Sequence, residues 1–237
     1  MYIDFHSHFL PQIDDGSRSI EESVKILDIM AENKTGAVIA TPHFYCNEQS
    51  IDEFIGKRNA AYERLKPHLK PEYPKIELGA EVLYDAALVR HEGLSKLCIG
   101  GTKWLLLEMP YVQLTDRIIN GVAEIVDRGD VKVLVAHIER YLNFTSMKEL
   151  KKLMQLDVLG QINAKSLTKF SSKRNCMKLI GDGFVQVLGS DYHRIDRGDV
   201  PVKDGFDIIC KKYNDFAEFA KRNGRAILDD EELYDII

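Results

Sequence analysis

Two pairs of side chains stand out for their spacing. His6 and His8 flank Ser7, and Asp191 and His193 flank Tyr192 near the other end of the chain. On an extended backbone, side chains two residues apart project to the same side, so each pair presents two donor groups to one point. Between the pairs lie His43 after Thr41-Pro42, Glu81 after Gly79-Ala80, Glu108 and His137, and Asp15 sits in the Gly- and Asp-rich turn that follows His8. These nine residues are five histidines and four carboxylates, with no cysteine among them. Imidazole with carboxylate suits manganese, iron or zinc. Nine donors are too many for one ion and fit two or three ions that share bridging carboxylates. A lone strand-end histidine is most often a surface or hydrogen-bonded residue, and a lone acid there often caps the next helix. Such explanations would have to hold separately at most of the nine positions. His68 and His91 lie in polar, helical contexts and are read as ordinary histidines.

The elements that must position these groups are legible as short apolar runs. They are Tyr2–Phe5, Ala37–Ala40, Ile76–Leu78, Trp104–Leu107, Val131–Ala136, Val158–Ile162 and Phe184–Leu188. Near-continuous apolar character predicts parallel strands covered on both faces. Six of the seven runs finish on a histidine or a carboxylate. Amphipathic stretches alternate with them. Ser19–Glu32 carries Ile20, Val24, Leu27 and Ala31 at helical spacing, with Ser19 and Glu22 as a capping box. Arg117–Arg128 repeats the pattern and Gly129 is a natural stop. Ile51–Leu69 and Phe206–Arg222 are read as helices too, and the proline-bearing stretch Lys66–Pro74 as a stiff connection. Seven strand–helix alternations without a linker predict one α/β domain over residues 1–237. An open doubly wound sheet would satisfy them. A closed or distorted barrel is preferred, because a parallel barrel gathers all its strand ends on the one face where barrel enzymes work.

Bulk properties narrow the function. A net charge of −5 over 237 residues argues against a nucleic-acid binder that relies on a broad basic surface. No apolar run approaches the roughly 20 residues of a membrane span, and the N-terminus carries no secretory signal pattern, so a cytoplasmic protein without membrane insertion is expected. Cys46, Cys98, Cys176 and Cys210 are scattered and show no CxxC pairing. None is followed six residues later by arginine, so none has the anion-binding partner that a cysteine nucleophile loop of that spacing would need; the residues at that offset are Asp52, Trp104, Asp182 and Phe216.

Taken in order, Asp4-Phe-His-Ser-His8, Ile13-Asp-Asp-Gly16, Thr41-Pro-His43, Gly79-Ala-Glu81, Leu107-Glu-Met-Pro110, Ala136-His-Ile-Glu-Arg-Tyr141 and Gly189-Ser-Asp-Tyr-His193 resemble the PHP (polymerase and histidinol phosphatase) superfamily. Within it, the chain resembles bacterial manganese-dependent protein tyrosine phosphatases of the CpsB/YwqE type, which act on the phosphotyrosine tail of kinases that control capsule and exopolysaccharide synthesis. The resemblance implies a distorted (β/α)7 barrel and three metal ions. It places His6, His8, Glu81 and Asp191 on one ion, makes Glu81 a bridge to a second held by Glu108 and His137, and gives the third to Asp15, His43 and His193. Glutamate at position 108, where many PHP members have histidine, points to this branch. Arg140 matches an arginine that binds the substrate phosphate; for a second arginine after the SDxH motif the candidates are Arg194 and Arg197.

The chemistry that follows is hydrolysis of a phosphate monoester. Divalent ions neutralise the dianion, lower the pKa of bound water and orient it for in-line attack, and arginine adds forked hydrogen bonds to the phosphoryl oxygens. The expected route is attack by a metal-bridging hydroxide without a phospho-enzyme. His43, His193 or a metal-bound water are the candidates for protonating the leaving phenolate. The alternatives are a PHP phosphoesterase acting on a small metabolite such as histidinol phosphate, an exonuclease, or a metal-binding regulatory domain without turnover.

Overall fold

In the computed structural model, which describes residues 1–231 and 233, the apolar runs become a parallel barrel. Its first stave is β1 (Tyr2–Ser7). The second is β2 (Thr35–Ala40) continued by β3 (His43–Phe44), and the third is β4 (Lys75–Leu78) continued by β5 (Glu81–Leu83). Single strands β6 (Trp104–Glu108), β7 (Lys132–Val135), β8 (Val158–Asn163) and β9 (Val187–Gly189) complete the seven staves. All pairings between these strands are parallel. The two broken staves are interrupted at Thr41-Pro42, where proline has no N–H to give, and at Gly79-Ala80. Gly79 N–H donates to Ala40 O (2.8 Å) and Glu81 N–H to Pro42 O (3.1 Å), so the sheet runs through both breaks. Asp191 N–H donates to His6 O (2.7 Å) and His8 N–H to Tyr192 O (2.8 Å), which joins the last stave to the first. The distorted seven-stave barrel expected from the sequence is the observed architecture.

The side-chain period of two explains the layering. One buried cluster unites Phe5, Ile39, Leu106, Leu134 and Val187, with Ile3 and Leu159 against it. These come from six staves, and only the barrel interior can bring them together. The intervening residues Leu105, Leu107, Val133, Val135, Val158 and Leu188 belong to the cluster beneath the outer helices. Stepping two residues along from the interior positions leads from Leu106 to Glu108, from Val187 through Gly189 to Asp191, and from Ile39 through Thr41 to His43. The apolar plug thus turns into a polar rim at the C-terminal ends. On β1 the phase would be wrong, since Phe5 faces inward and His6 is its neighbour. A bulge corrects it: Asp4 pairs with Val38 and Ser7 with Ala40, three steps on β1 against two on β2. The extra residue shifts the inward face from odd to even positions, and His6 and His8 join the rim.

The helices are α1 (Ile20–Glu32), α2 (Ile51–Leu65), α3 (Asp116–Asp127), α4 (Met147–Met154), α5 (Ala164–Thr168), α6 (Phe170–Gly181), α7 (Val202–Ile209) and α8 (Phe216–Leu228). Several expectations need correction. Ser19 Oγ accepts from Glu22 N–H, but the Glu22 carboxylate takes the N–H groups of Arg18 and Ile195 instead of closing the box. The complete capping box is Ser50 with Glu53, at the start of α2. The helix expected to reach Leu69 ends at Leu65 in a short 3-10 turn, Lys66–His68, because Pro67 lacks the N–H that the next α-helical bond requires. The single helix expected over Phe206–Arg222 is two, α7 and α8. At the break, Lys212 and Tyr213 N–H turn back onto Ile209 O, and Phe206 and Phe216 then meet with ring centroids 6.1 Å apart. Strand β9 starts at Val187, three residues later than expected, since Phe184 N–H bonds Leu179 O to close α6. No helix among the described residues is long and apolar enough to cross a membrane.

Candidate metal centre

At the C-terminal rim, four donor atoms crowd one point. His6 Nε2 lies 3.0 Å from His8 Nε2, 3.1 Å from Glu81 Oε2 and 3.4 Å from Asp191 Oδ1. His8 Nε2 is 3.2 Å from the same Glu81 oxygen and 3.4 Å from the same Asp191 oxygen. Ligands about 2.1 Å from a shared ion stand roughly 3.0 to 3.4 Å apart, depending on whether six or four surround it. The spacing of this donor set therefore fits a cation. Glu81 extends the cluster: Oε2 is 3.1 Å from His43 Nδ1 and Oε1 is 2.8 Å from His137 Nε2, which is itself 3.5 Å from Glu108. A third group closes around Asp15, whose Oδ1 lies 3.5 Å from His43 Nε2 and 3.4 Å from His193 Nε2. All nine expected donors thus meet on one face. Their grouping is looser than expected, because His8 also lies within ligand distance of Asp15, His43 and His193, and His43 within that of Glu81 and Glu108. His68 and His91 fall outside these groups.

The supporting groups are those the sequence reading left out. His8 Nδ1 is 2.7 Å from Asp14, the neighbour of the acid singled out from the Asp-Asp pair. His6 Nδ1 is 3.2 Å from Gln161 Oε1, and His193 Nδ1 is 2.9 Å from the Asp191 carbonyl. Bonding one ring nitrogen aims the other, which fixes the donor direction of a ligand histidine. β8, the one stave without a terminal histidine or acid, contributes amides instead. Asn163 Nδ2 donates to Asp191 Oδ2 (2.9 Å), and Gln161 accepts from His137 N–H (2.8 Å). The alternation Leu159-Gln161-Asn163 was the available signal. Buried Asp4 ties the first stave to the last by accepting from Ser190 N–H (2.8 Å).

The backbone is tightly set here. His137 (φ 30°) and Asp191 (φ 53°) both lie in the left-handed region, a conformation that non-glycine residues hold only under constraint. Two glycines are required by close approach. A Cβ on Gly16 would stand 2.0 Å from His8 O, and one on Gly189 would stand 2.4 Å from the His6 Cβ.

Electrostatics follow from burial plus crowding. Burial pushes Glu81 up, but the surrounding histidines, His6 foremost, hold it well below the usual carboxylate range. Asp191 is likewise penalised by burial yet held well down by His6, His8 and Arg140. Glu108, with burial and the charge of Glu81 against it, is raised to about 7. Burial opposes the charged form of His43, but Asp15 and Glu81 raise it to about 9. His8 is raised well above its usual value, chiefly by Asp14, against the cost of burial. Burial lowers His137 to about 4. With His43 raised to about 9 and His8 raised by Asp14, protons compete with a metal for these two rings. Metal binding at pH 7 is accordingly expected to release at least about one proton per chain. Calorimetry in buffers of differing ionisation enthalpy measures this, and proton-neutral uptake would contradict the assignment.

A cavity of about 580 Å³ opens over the cluster. Arg140 enters it from the 3-10 turn Ile138–Asn143, held by the Asp191 carboxylate and by Tyr111 Oη (3.3 Å). Arg197 also lines it and donates to Asp15 Oδ2 (2.9 Å). Arg194 does not line the cavity; it pairs with Asp196. Tyr45, Leu83, Pro110 and Tyr111 supply aromatic and apolar wall. None of the four cysteines reaches the cavity, and burial raises the thiols of Cys46, Cys98 and Cys176, Cys98 to about 12.

Fold and donor set together define a PHP-type barrel with a candidate multinuclear metal centre. The chain belongs to the CpsB/CapC family of capsular polysaccharide synthesis, whose family model matches residues 2–229. It is 29% identical over 227 residues to the tyrosine-protein phosphatase CpsB of Streptococcus pneumoniae, covering 89% of this chain and 90% of that protein. It is 27% identical over 243 residues to the putative tyrosine-protein phosphatase CapC of Staphylococcus aureus, covering 98% and 92%. The crystal structures of YwqE from Bacillus subtilis and CpsB from Streptococcus pneumoniae, described as unique metal-dependent tyrosine phosphatases, include a chain that superimposes with a TM-score of 0.82 at 19% identity. The match covers 99% of this chain and 97% of that one.

Proposed function

We propose that this chain is a metal-dependent protein tyrosine phosphatase, with residues 1–237 forming one catalytic domain. One observation carries the reading: the cluster of imidazoles and carboxylates opens into a cavity that also holds two arginines and an aromatic wall. His6, His8, Asp15, His43, Glu81, Glu108, His137, Asp191 and His193 would hold three divalent ions, manganese first, with iron or zinc as alternatives. Bound there, the ions supply charge neutralisation and an activated water. Arg140 and Arg197 both line the cavity, and their guanidinium groups would take phosphoryl oxygens by forked hydrogen bonds. Tyr45 and Tyr111 offer flat surfaces for the phenyl ring of phosphotyrosine. Of the three candidates for protonating the leaving phenolate, a metal-bound water fits the loaded site best, because His43 and His193 would face the ions and His193 Nδ1 is already on the Asp191 carbonyl.

The family description and the relatives' names support a phosphotyrosine protein of capsule or exopolysaccharide synthesis as substrate. The resemblance makes that protein the tail of a bacterial tyrosine kinase. A cytoplasmic setting is supported by four cysteines that are all unpaired. The test compares a phosphotyrosine peptide with histidinol phosphate, using manganese-loaded protein and protein stripped by EDTA. Turnover of the peptide that EDTA abolishes is expected. Preference for histidinol phosphate would move the enzyme to small metabolites. Absence of turnover with full metal loading would leave a regulatory domain, and undiminished activity in metal-free protein would end the metal mechanism.

A further inference from the structure

The active-site cavity continues beyond Arg140. A second cavity of about 420 Å³ adjoins it and shares Tyr111, Arg140, Lys165 and Lys169 with it. Three of those four shared residues are cations. Lys165 is engaged, donating to Asp199 (2.9 Å) and to the Arg197 carbonyl (2.7 Å). The Lys169 side chain makes no ion pair or hydrogen bond to any described residue, and neither do the side chains of Asn143, Ser171 and Asn175 on the remaining wall. The one acid in the lining, Glu139, is buried and turned to Asn163 N–H (3.2 Å). Ser171 lies in the first turn of α6, where the helix dipole adds positive potential. Two aromatic rings belong to the lining, Tyr111 and Phe144, 5.5 Å apart, and Phe170, adjacent in sequence to Lys169, is 99% exposed. Unpaired cation, uncommitted hydrogen-bond donors and exposed aromatics describe a surface that receives an anionic polypeptide segment.

We propose that this second cavity is a subsite for an anionic side chain flanking the scissile phosphotyrosine, either a carboxylate or a second phosphate. The identity of the first group rests on the phosphatase reading above; the subsite adds selection for acidic or multiply phosphorylated segments. Arg140, on the wall between the cavities, then faces an anion on each side.

The test uses full-length, manganese-loaded protein and fluorescent peptides bearing the non-hydrolysable difluoromethylphosphonate analogue of phosphotyrosine. Glutamate or glutamine is placed at each of the three positions on either side, and a further set carries a second phosphonate. At one or two positions, glutamate is expected to tighten binding roughly 5- to 20-fold over glutamine, as one charge-assisted contact does. A larger gain from the second phosphonate would identify phosphate as the preferred group, and a smaller one carboxylate. Lys169→Glu and Asn175→Asp should each bring the glutamate-to-glutamine ratio to within about twofold of one. Equal binding at every position, a ratio that survives both substitutions, or no binding by any peptide would overturn the subsite. Hydrolysis of the matching phosphotyrosine peptides separates the two readings. Selective binding without turnover counts against the phosphatase and leaves the subsite standing, whereas turnover without selectivity does the reverse.

Discussion

Glu81→Ala is expected to remove metal and activity together. The Glu81 carboxylate is the hub of the cluster, with one oxygen 3.1 to 3.2 Å from nitrogens of His6, His8 and His43 and the other 2.8 Å from His137. No other carboxylate here touches four histidines, so no neighbour can take over a bridging role. The barrel itself should survive, because Glu81 joins its neighbours through backbone pairing with His43 and Leu106, which alanine preserves. We expect bound metal to fall by at least one ion per chain and kcat to drop by about 1,000-fold or more. Glu81→Gln is the stricter variant: it keeps the shape and one acceptor oxygen while losing the charge that balances the ions. It should resemble alanine in metal content. Metal analysis after dialysis, kinetics with excess manganese and near-ultraviolet dichroism give the answer. Unchanged stoichiometry in a folded variant would remove the bridging role.

Arg140→Ala is expected to lower kcat/KM by roughly 30- to 1,000-fold, the effect of losing a forked, charge-assisted contact of ~2–4 kcal/mol. Arg140→Lys should recover only part, since an ammonium keeps the charge but cannot form the fork. The competing explanation is a structural ion pair, and the observed contact with Asp191 gives it substance. Glu139, the acid next to Arg140 in sequence, is buried and turned to Asn163 N–H. The two explanations part on measurement. A phosphate clamp predicts bound metal and an unchanged melting temperature with poor kinetics. A structural pair predicts a lower melting temperature, since breaking it takes from the buried Asp191 carboxylate one of the cations that hold it charged, with near-normal kcat/KM in the molecules that remain folded. Near-normal kinetics in Arg140→Ala would take this residue out of the mechanism.

Much of the site was legible because its chemistry is local in sequence. His6 with His8 and Asp191 with His193 are visible as i, i+2 pairs, and the other donors follow apolar runs whose character alone marks parallel strands. The helix start at Ser19 and the stop at Gly129 rest on neighbours a few residues away, so they too could be read. Where two local signals competed, reading failed: Pro67 ended α2 early, and the turn at Tyr213 split what periodicity joined into one helix.

By itself, then, the sequence determined the parallel α/β class and singled out the nine candidate donors and Arg140. The tertiary structure alone decided which donors meet and what aims them. Asp14 on His8, Gln161 on His6 and His137, and Asn163 on Asp191 are contacts across 6 to 155 residues of chain, and no spacing rule encodes them. The same holds for the choice of Arg197 over Arg194, which depends on the turn Ile195–Arg197 carrying the second guanidinium to Asp15. The bulge in β1 is the sharpest case. Strict alternation would set His6 and Phe5 on opposite faces, and only pairing with β2 reveals the extra residue that brings Phe5 into the core and both histidines to the metal face. A bulge is a mismatch between two strands, so it exists only once both are in place.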